Sequence, residues 1–169
     1  MNYLDIQHAN MVNGSGLRTV IWITGCDRKC KNCFQPHSHD FNTGVKFDEK
    51  AKEELLRDNY SDWCSGITFL GGEPLHPNNR IEVINLLQEI KEKFPNKNIW
   101  LYTGYTWEEI ISDETMKNVL KYVDILCDGP YIDELRNIDL KWVGSSNQRV
   151  INVKERIENV SKLKNNLYM

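Results

Sequence analysis

The chain has 169 residues, of which 40% are hydrophobic and 27% charged, and its formal net charge is −3. This length and apolar content predict one domain, residues 1–169, with a core at about 13–153 and a Lys-rich tail. The negative charge argues against a nucleic-acid partner. No apolar run approaches the roughly 20 residues of a membrane span. Residues 1–10 lack the pattern of a secretory signal, so we expect a cytoplasmic protein.

The predicted elements alternate between strands and helices. Runs of β-branched and aromatic residues that stop at glycine or aspartate indicate strands, and apolar residues at helical spacing indicate helices. In chain order they are a strand at Arg18 to Thr24, a helix at Asp48 to Asn59, a strand at Ile67 to Leu70, a helix at Ile81 to Phe94, a strand at Asn98 to Thr103, a helical segment at Trp107 to Tyr122 broken near Ser112, and strands at Val123 to Cys127 and Arg149 to Val153. The tail from Lys154 to Lys164 suits a solvated helix or a frayed end.

This alternation predicts an α/β fold with a parallel sheet and right-handed crossovers. A closed eight-stranded barrel takes about 250 residues, so this chain can build only a partial, open (β/α) barrel. Functional groups are expected at the carboxyl ends of the strands. A cysteine cluster, a Gly-Gly turn, Gly104 and an Asp-Gly-Pro turn all fall at such ends.

Three of the five cysteines, Cys26, Cys30 and Cys33, follow the first predicted strand with the spacing C-x3-C-x2-C. Three thiolates can hold three irons of a cubane cluster and leave the fourth iron open. His37 and His39 lie close by, so a Cys3His zinc site also fits. The spacing alone leaves both sites possible, whereas a ferredoxin-like electron carrier is disfavoured because a fourth cysteine ligand is missing.

A Gly-Gly-Glu-Pro turn follows the second predicted strand, at Gly71, Gly72, Glu73 and Pro74. The glycines let a ligand approach the backbone closely, and Glu73 offers an acceptor for an ammonium group. With the cysteine triad after the first strand, this turn resembles the hallmark pair of the radical S-adenosylmethionine superfamily. The resemblance implies a [4Fe-4S] cluster on the three cysteines, with S-adenosylmethionine on the open iron and its amino group at the turn, and it disfavours zinc.

In that superfamily an aromatic residue commonly precedes the third cysteine and packs on the adenine. Here Asn32 stands at that position, and Phe34 lies on the other side of Cys33. The resemblance therefore implies an adenine contact with the backbone of Asn32 and Cys33 and with the ring of Phe34. Packing in the core is the alternative role for Phe34.

A further set of motifs resembles the activating proteins of anaerobic (class III) ribonucleoside-triphosphate reductase. They are Asn-Gly-Ser-Gly-Leu-Arg at 13–18, Gly-Glu-Pro-Leu-His-Pro at 72–77, Trp-Leu-Tyr-Thr-Gly-Tyr at 100–105, Asp-Gly-Pro at 128–130 and Leu-Lys-Trp-Val-Gly-Ser-Ser-Asn-Gln at 140–148. The ending Gly-Ser-Ser-Asn-Gln is the most specific. Arg28 and Asn32 depart from the His and Gly of that family.

This resemblance implies a glycyl-radical activating enzyme. Reductive cleavage of S-adenosylmethionine would give a 5'-deoxyadenosyl radical, which takes hydrogen from a glycine of the reductase, with a one-electron donor such as flavodoxin. No side chain is expected to act as general acid or base, because the cluster and S-adenosylmethionine carry the chemistry. An incomplete barrel leaves a groove for a partner loop. An activase of pyruvate formate-lyase is the alternative.

Four further residues have less specific signals. Cys64 and Cys127 lie outside the triad, and we expect both to pack in the core. His76 precedes Pro77 in a turn, where a contact with a ligand or partner and a turn role are equally consistent with the sequence. Asp128 ends a predicted strand and fits either a ligand contact or ordinary turn chemistry.

Overall fold

The computed structural model describes the backbone of residues 1–166 and the side chains of residues 1–160. The elements of this part are β1 (Asn2–Asn10), β2 (Arg18–Ile23), β3 (Val45–Lys46), α1 (Glu49–Arg57), β4 (Gly66–Gly71), α2 (Arg80–Lys93), β5 (Asn98–Tyr102), α3 (Trp107–Ser112), β6 (Ile125–Asp128), β7 (Arg149–Asn152) and α4 (Val153–Asn166). Short 3-10 helices lie at Pro36–Ser38, Asp58–Tyr60, Met116–Lys121 and Asp133–Leu135. Within the described residues, no helix is long and apolar enough to cross a membrane.

The strands form one open sheet in the order β3-β1-β2-β4-β5-β6-β7. The four central strands, β2, β4, β5 and β6, run parallel, with helices in the connections between them. The α/β class is confirmed. The expectation of a parallel sheet is wrong at both sides, because β1, β3 and β7 pair antiparallel with their neighbours.

Strand β1 was not expected from the sequence. It carries polar side chains on both faces, and Ile6 is its one buried residue. Its apolar alternation is short, because only Leu4 and Ile6 alternate with polar residues and register shifts interrupt the pairing with β2. It forms because its backbone pairs with β2 on one side and with the two-residue β3 on the other.

Helices cover one face of the sheet, and the core lies between them and that face. Alternate strand residues such as Ile21, Phe69 and Leu101 point into this core because strand side chains alternate between faces. Val83, Leu87 and Ile90 of α2 and Phe94 directly after it, which recur at helical spacing, are all buried here, and Leu55 and Leu56 join them from α1. The apolar spacing that indicated these two helices thus marks the faces that they bury.

Capping side chains set the helix boundaries. Asp48, where the predicted helix begins, caps α1 by accepting a hydrogen bond from the Ala51 N–H at 2.9 Å. The predicted break near Ser112 is also present. There Asp113 accepts from the N–H groups of Thr115 and Met116, so its carboxylate competes with a continuing α-helix. The chain resumes as a 3-10 helix.

The opposite face of the sheet holds a fully buried arginine. Arg18 donates from Nε to Thr68 Oγ1 at 2.8 Å and from its terminal nitrogens to the carbonyls of Ser15, Ile67 and Asn98 at 2.7–3.1 Å. Its guanidinium carbon lies 5.4 Å from the centre of the Trp100 ring. Burial lowers the pKa of this guanidinium to about 10. Arg18 thereby fixes the glycine loop before β2 against the amino end of the sheet.

We expect Arg18→Met to lower the free energy of unfolding by about 2–4 kcal/mol, because methionine fills space but leaves buried carbonyls without a donor. Urea unfolding measures this change. Arg57→Met is the matched control, since the Arg57 side chain is mostly exposed and should change stability by less than about 1 kcal/mol. Equal effects of the two substitutions would show that the Arg18 contacts add no stability.

Candidate functional site

A cavity of about 860 Å³ opens at the carboxyl ends of the parallel strands, on the face without helices. Its floor includes Trp22, Leu70, Tyr102 and Cys127, which alternate along their strands with the core residues of the other face. Every residue predicted for the site lines it: Cys26, Asn32, Cys30, Cys33, Phe34, Gly71, Gly72 and Glu73. The structure therefore brings together the two motifs that the sequence placed after separate strands.

The cysteine loop leaves β2 under backbone control. Gly25 donates its N–H to Ser38 O at 2.7 Å, and Cys26 donates to His39 O at 3.0 Å. Cys26 is buried, whereas Cys30 and Cys33 are half-buried at the cavity wall. Burial raises the pKa of the Cys26 thiol to about 11, so metal binding there must displace a proton.

The donor set fits an iron-sulfur cluster better than zinc. In a cubane each thiolate binds a different iron, whereas a zinc site needs its four ligands to converge on one ion. Among the described side chains, no three His, Cys, Asp or Glu groups are arranged to hold a single metal ion. His37 is exposed and His39 is half-buried. Cys26, Cys30 and Cys33 all line the cavity, and three thiolates can hold three irons of a cubane.

Glu73 connects three segments around the cavity. Its buried carboxylate accepts from Thr103 Oγ1 at 2.6 Å and the Gly104 N–H at 2.8 Å after β5, and from the Leu75 N–H at 3.0 Å. Arg28 of the cysteine loop lies 3.4 Å away through Nε. Burial raises the pKa of Glu73, and the three short hydrogen bonds oppose that rise. Arg28 is the most distant of these four partners.

The glycines before Glu73 let β4 lie against the start of the cysteine loop. Gly71 has φ +116°, and a Cβ there would lie 2.4 Å from the carbonyl oxygen of Ile23. Gly72 donates its N–H to that same oxygen at 2.7 Å, and Glu73 donates to Gly25 O at 2.9 Å. A side chain at Gly71 would separate the two loops.

Asn32 and Phe34 lie at the cavity mouth. Asn32 has φ +52°, a conformation that glycine and asparagine adopt more readily than other residues, which explains Asn where Gly was expected. Its Nδ2 donates to Asp133 Oδ2 at 2.7 Å, and Lys31 pairs with Glu134 at 2.9 Å. These two contacts form a clasp between the cysteine loop and residues 133–134. Phe34 is 92% exposed, so the alternative of core packing is wrong.

The Asp-Gly-Pro turn and the Gly-Ser-Ser-Asn-Gln ending form one wall of the cavity. Gln148 Oε1 accepts from the N–H groups of Gly144 and Ser145, and its Nε2 donates to Gly129 O at 3.1 Å. Asp128 is buried and accepts from the Trp107 N–H and from Arg149, so its role here is structural. The ending that was the most specific sequence signal thus supports the adjacent turn.

The remaining expectations have mixed outcomes. Cys64 and Cys127 are both buried, as predicted, although Cys127 also lines the cavity. His76 accepts the Asn78 N–H at Nδ1, which is a turn contact. Trp22 and Tyr102 also lie on the cavity floor and were not predicted as site residues. Each of the two residues adjoins a core residue in its strand. Because strand side chains alternate between faces, these positions indicated side chains on the face opposite the core.

Comparisons with known proteins identify the family of this chain. A family described as "4Fe-4S single cluster domain" matches residues 12–151. Three relatives carry the name anaerobic ribonucleoside-triphosphate reductase-activating protein. The phage T4 protein is 41% identical, over 89% of this chain and 93% of its own length. The Haemophilus influenzae protein is 36% identical, over 88% of this chain and 96% of its own length. The Escherichia coli K12 protein is 32% identical, over 89% of this chain and 97% of its own length.

We expect Asp133→Ala to increase the mobility of the cysteine loop with little loss of stability, because it removes an acceptor at the protein surface. Unfolding free energy should fall by less than about 1 kcal/mol. Amide hydrogen exchange of residues 29–34 should become several-fold faster. Glu114→Ala, which removes the exposed carboxylate paired with Lys117, is the control. Unchanged exchange in the cysteine loop would exclude a role for the clasp.

Proposed function

Because the chain belongs to the family of anaerobic ribonucleoside-triphosphate reductase-activating proteins, we propose that it activates such a reductase as a radical S-adenosylmethionine enzyme. The observation that carries the proposal is the convergence of the three cysteines and the Gly-Gly-Glu-Pro turn on one open cavity. When bound, the cluster supplies the electron that cleaves S-adenosylmethionine to methionine and a 5'-deoxyadenosyl radical, which removes hydrogen from a glycine of the reductase.

The chain's own residues bind and orient these groups. Cys26, Cys30 and Cys33 would hold three irons of a [4Fe-4S] cluster. The turn from Gly71 to Glu73 would receive the amino group of S-adenosylmethionine. An incoming ammonium can take the place of Arg28 beside the Glu73 carboxylate, since Arg28 forms the longest of its four contacts. Asn32, Cys33 and Phe34 would contact the adenine at the cavity mouth.

The fold supports a protein substrate. We infer that the open sheet is a partial (β/α) barrel of the radical S-adenosylmethionine type, and we treat residues 1–169 as a single domain of that kind. Its cavity of about 860 Å³ is closed on one side by the sheet, with the cysteine loop and residues 131–148 among its walls. A loop of a partner can enter from the remaining side. A small electron donor such as flavodoxin would reduce the cluster.

Cys26→Ala, Cys30→Ala and Cys33→Ala should each abolish S-adenosylmethionine cleavage, because each removes a cluster ligand. Anaerobically purified protein is assayed for iron, sulfide and 5'-deoxyadenosine under strong reductant. Cys64→Ala, at a buried cysteine outside the cavity lining, is the matched control and should retain cleavage. Zinc without iron or sulfide in the wild-type protein would refute the proposal. Iron without cleavage would instead favour an electron carrier.

The partner is tested by activation. Incubation of the reduced protein with S-adenosylmethionine and the anaerobic reductase should produce a glycyl radical, seen as an electron paramagnetic resonance signal. Replacement of the acceptor glycine of the reductase by alanine is the control and should remove that signal. A signal with pyruvate formate-lyase but none with the reductase would assign the chain to the alternative activase.

A further inference from the structure

Three large apolar side chains surround the mouth of the cavity although they come from distant parts of the chain. Val12 precedes β2 and is 76% exposed, Phe34 follows the third cysteine and is 92% exposed, and Ile138 lies between β6 and β7 and is 83% exposed. All three line the cavity. Single exposed apolar residues are ordinary, but several that converge on one opening indicate an interaction surface.

Charged side chains of both signs lie at this mouth. Arg136 lines the cavity, is exposed and forms no ion pair with described side chains, whereas Lys31 pairs with Glu134 at 2.9 Å and lies 3.9 Å from Asp133. Asp139 is the unpaired carboxylate in the same stretch. Arg136 is therefore a cationic side chain at the mouth that can pair with a carboxylate of a partner.

We propose that Val12, Arg136 and Ile138, with Phe34 at their edge, form a docking rim for the partner polypeptide. The occupant is the glycine-bearing loop of the reductase, with apolar and acidic side chains beside the glycine. This inference rests on the proposed function. It adds the surface that holds the protein substrate while its glycine enters the cavity.

The size of the exposed surface argues for a polypeptide. A small ligand binds inside a cavity and buries its own surface there. Side chains that are more than three-quarters exposed, on three separate loops, are covered only by a body wider than the opening. Apolar contacts with a charged margin are typical of protein interfaces, and Arg136 supplies the kind of residue that is enriched in them.

The test measures binding of the purified protein to the anaerobic reductase without S-adenosylmethionine. Ile138→Asp and Val12→Asp should raise the dissociation constant at least tenfold, because each places a carboxylate in an apolar contact. Arg136→Glu should weaken binding and reduce its dependence on salt concentration. Ile81→Asp is the matched control, since Ile81 is 58% exposed on α2 at the opposite face, and should change the constant less than twofold.

A second measurement separates this inference from the proposed function. S-adenosylmethionine cleavage without the reductase should be unchanged in the Ile138→Asp protein, while its yield of glycyl radical falls. The docking rim would be overturned if Ile138→Asp bound the reductase with wild-type affinity or lost cleavage in parallel with radical yield. It would also be overturned if the wild-type protein did not bind the reductase. If the wild-type protein were a dimer that Ile138→Asp dissociates, a second copy of the chain would cover these residues, and the docking rim would again be overturned. Loss of binding in a protein that cleaves no S-adenosylmethionine would leave the rim standing and refute the radical function.

Discussion

The buried carboxylate of Glu73 is the interaction on which the geometry of the cavity depends. An ionised group in this position is costly unless donors surround it. Here the donors come from its own turn, from the end of β5 and from Arg28 in the cysteine loop. One carboxylate therefore links segments that carry the thiols, the glycine turn and the strand beside them. Their spacing is set before any ligand binds.

A second buried charge stabilises the other end of the same face. Arg18 lies at the amino end of β2 and bonds carbonyls of the glycine loop, β4 and β5. Helices cover only the opposite face, so this face lacks an apolar layer of comparable size. Arg18 closes the end away from the cysteines with hydrogen bonds and its contact with Trp100. The sheet can thus remain open at the end where chemistry is proposed.

Local signals in the sequence were sufficient for the central strands, the helices and the position of the two motifs. Parallel strands bring their carboxyl ends to one edge, so a cysteine loop after β2 and a glycine turn after β4 had to be neighbours. Contacts between distant residues were not predictable in this way. Gln148 donates a hydrogen bond to the carbonyl oxygen of Gly129, which is distant in the chain. Strand β1 pairs with β2 through backbone groups, and the side-chain pattern gives little indication of this pairing. The exposure of Phe34 likewise depends on how far the cysteine loop projects.

The departure at Asn32 shows how one position can satisfy two constraints. The backbone there has φ +52°, which glycine adopts without strain and asparagine tolerates. Asparagine, unlike glycine, also has a side chain that reaches Asp133 at 2.7 Å. The loop conformation that presents Cys30 and Cys33 is therefore retained, and a contact across the cavity mouth is added. Because that contact is polar and lies at the surface, it adds little to the free energy of unfolding and acts mainly by restricting the cysteine loop.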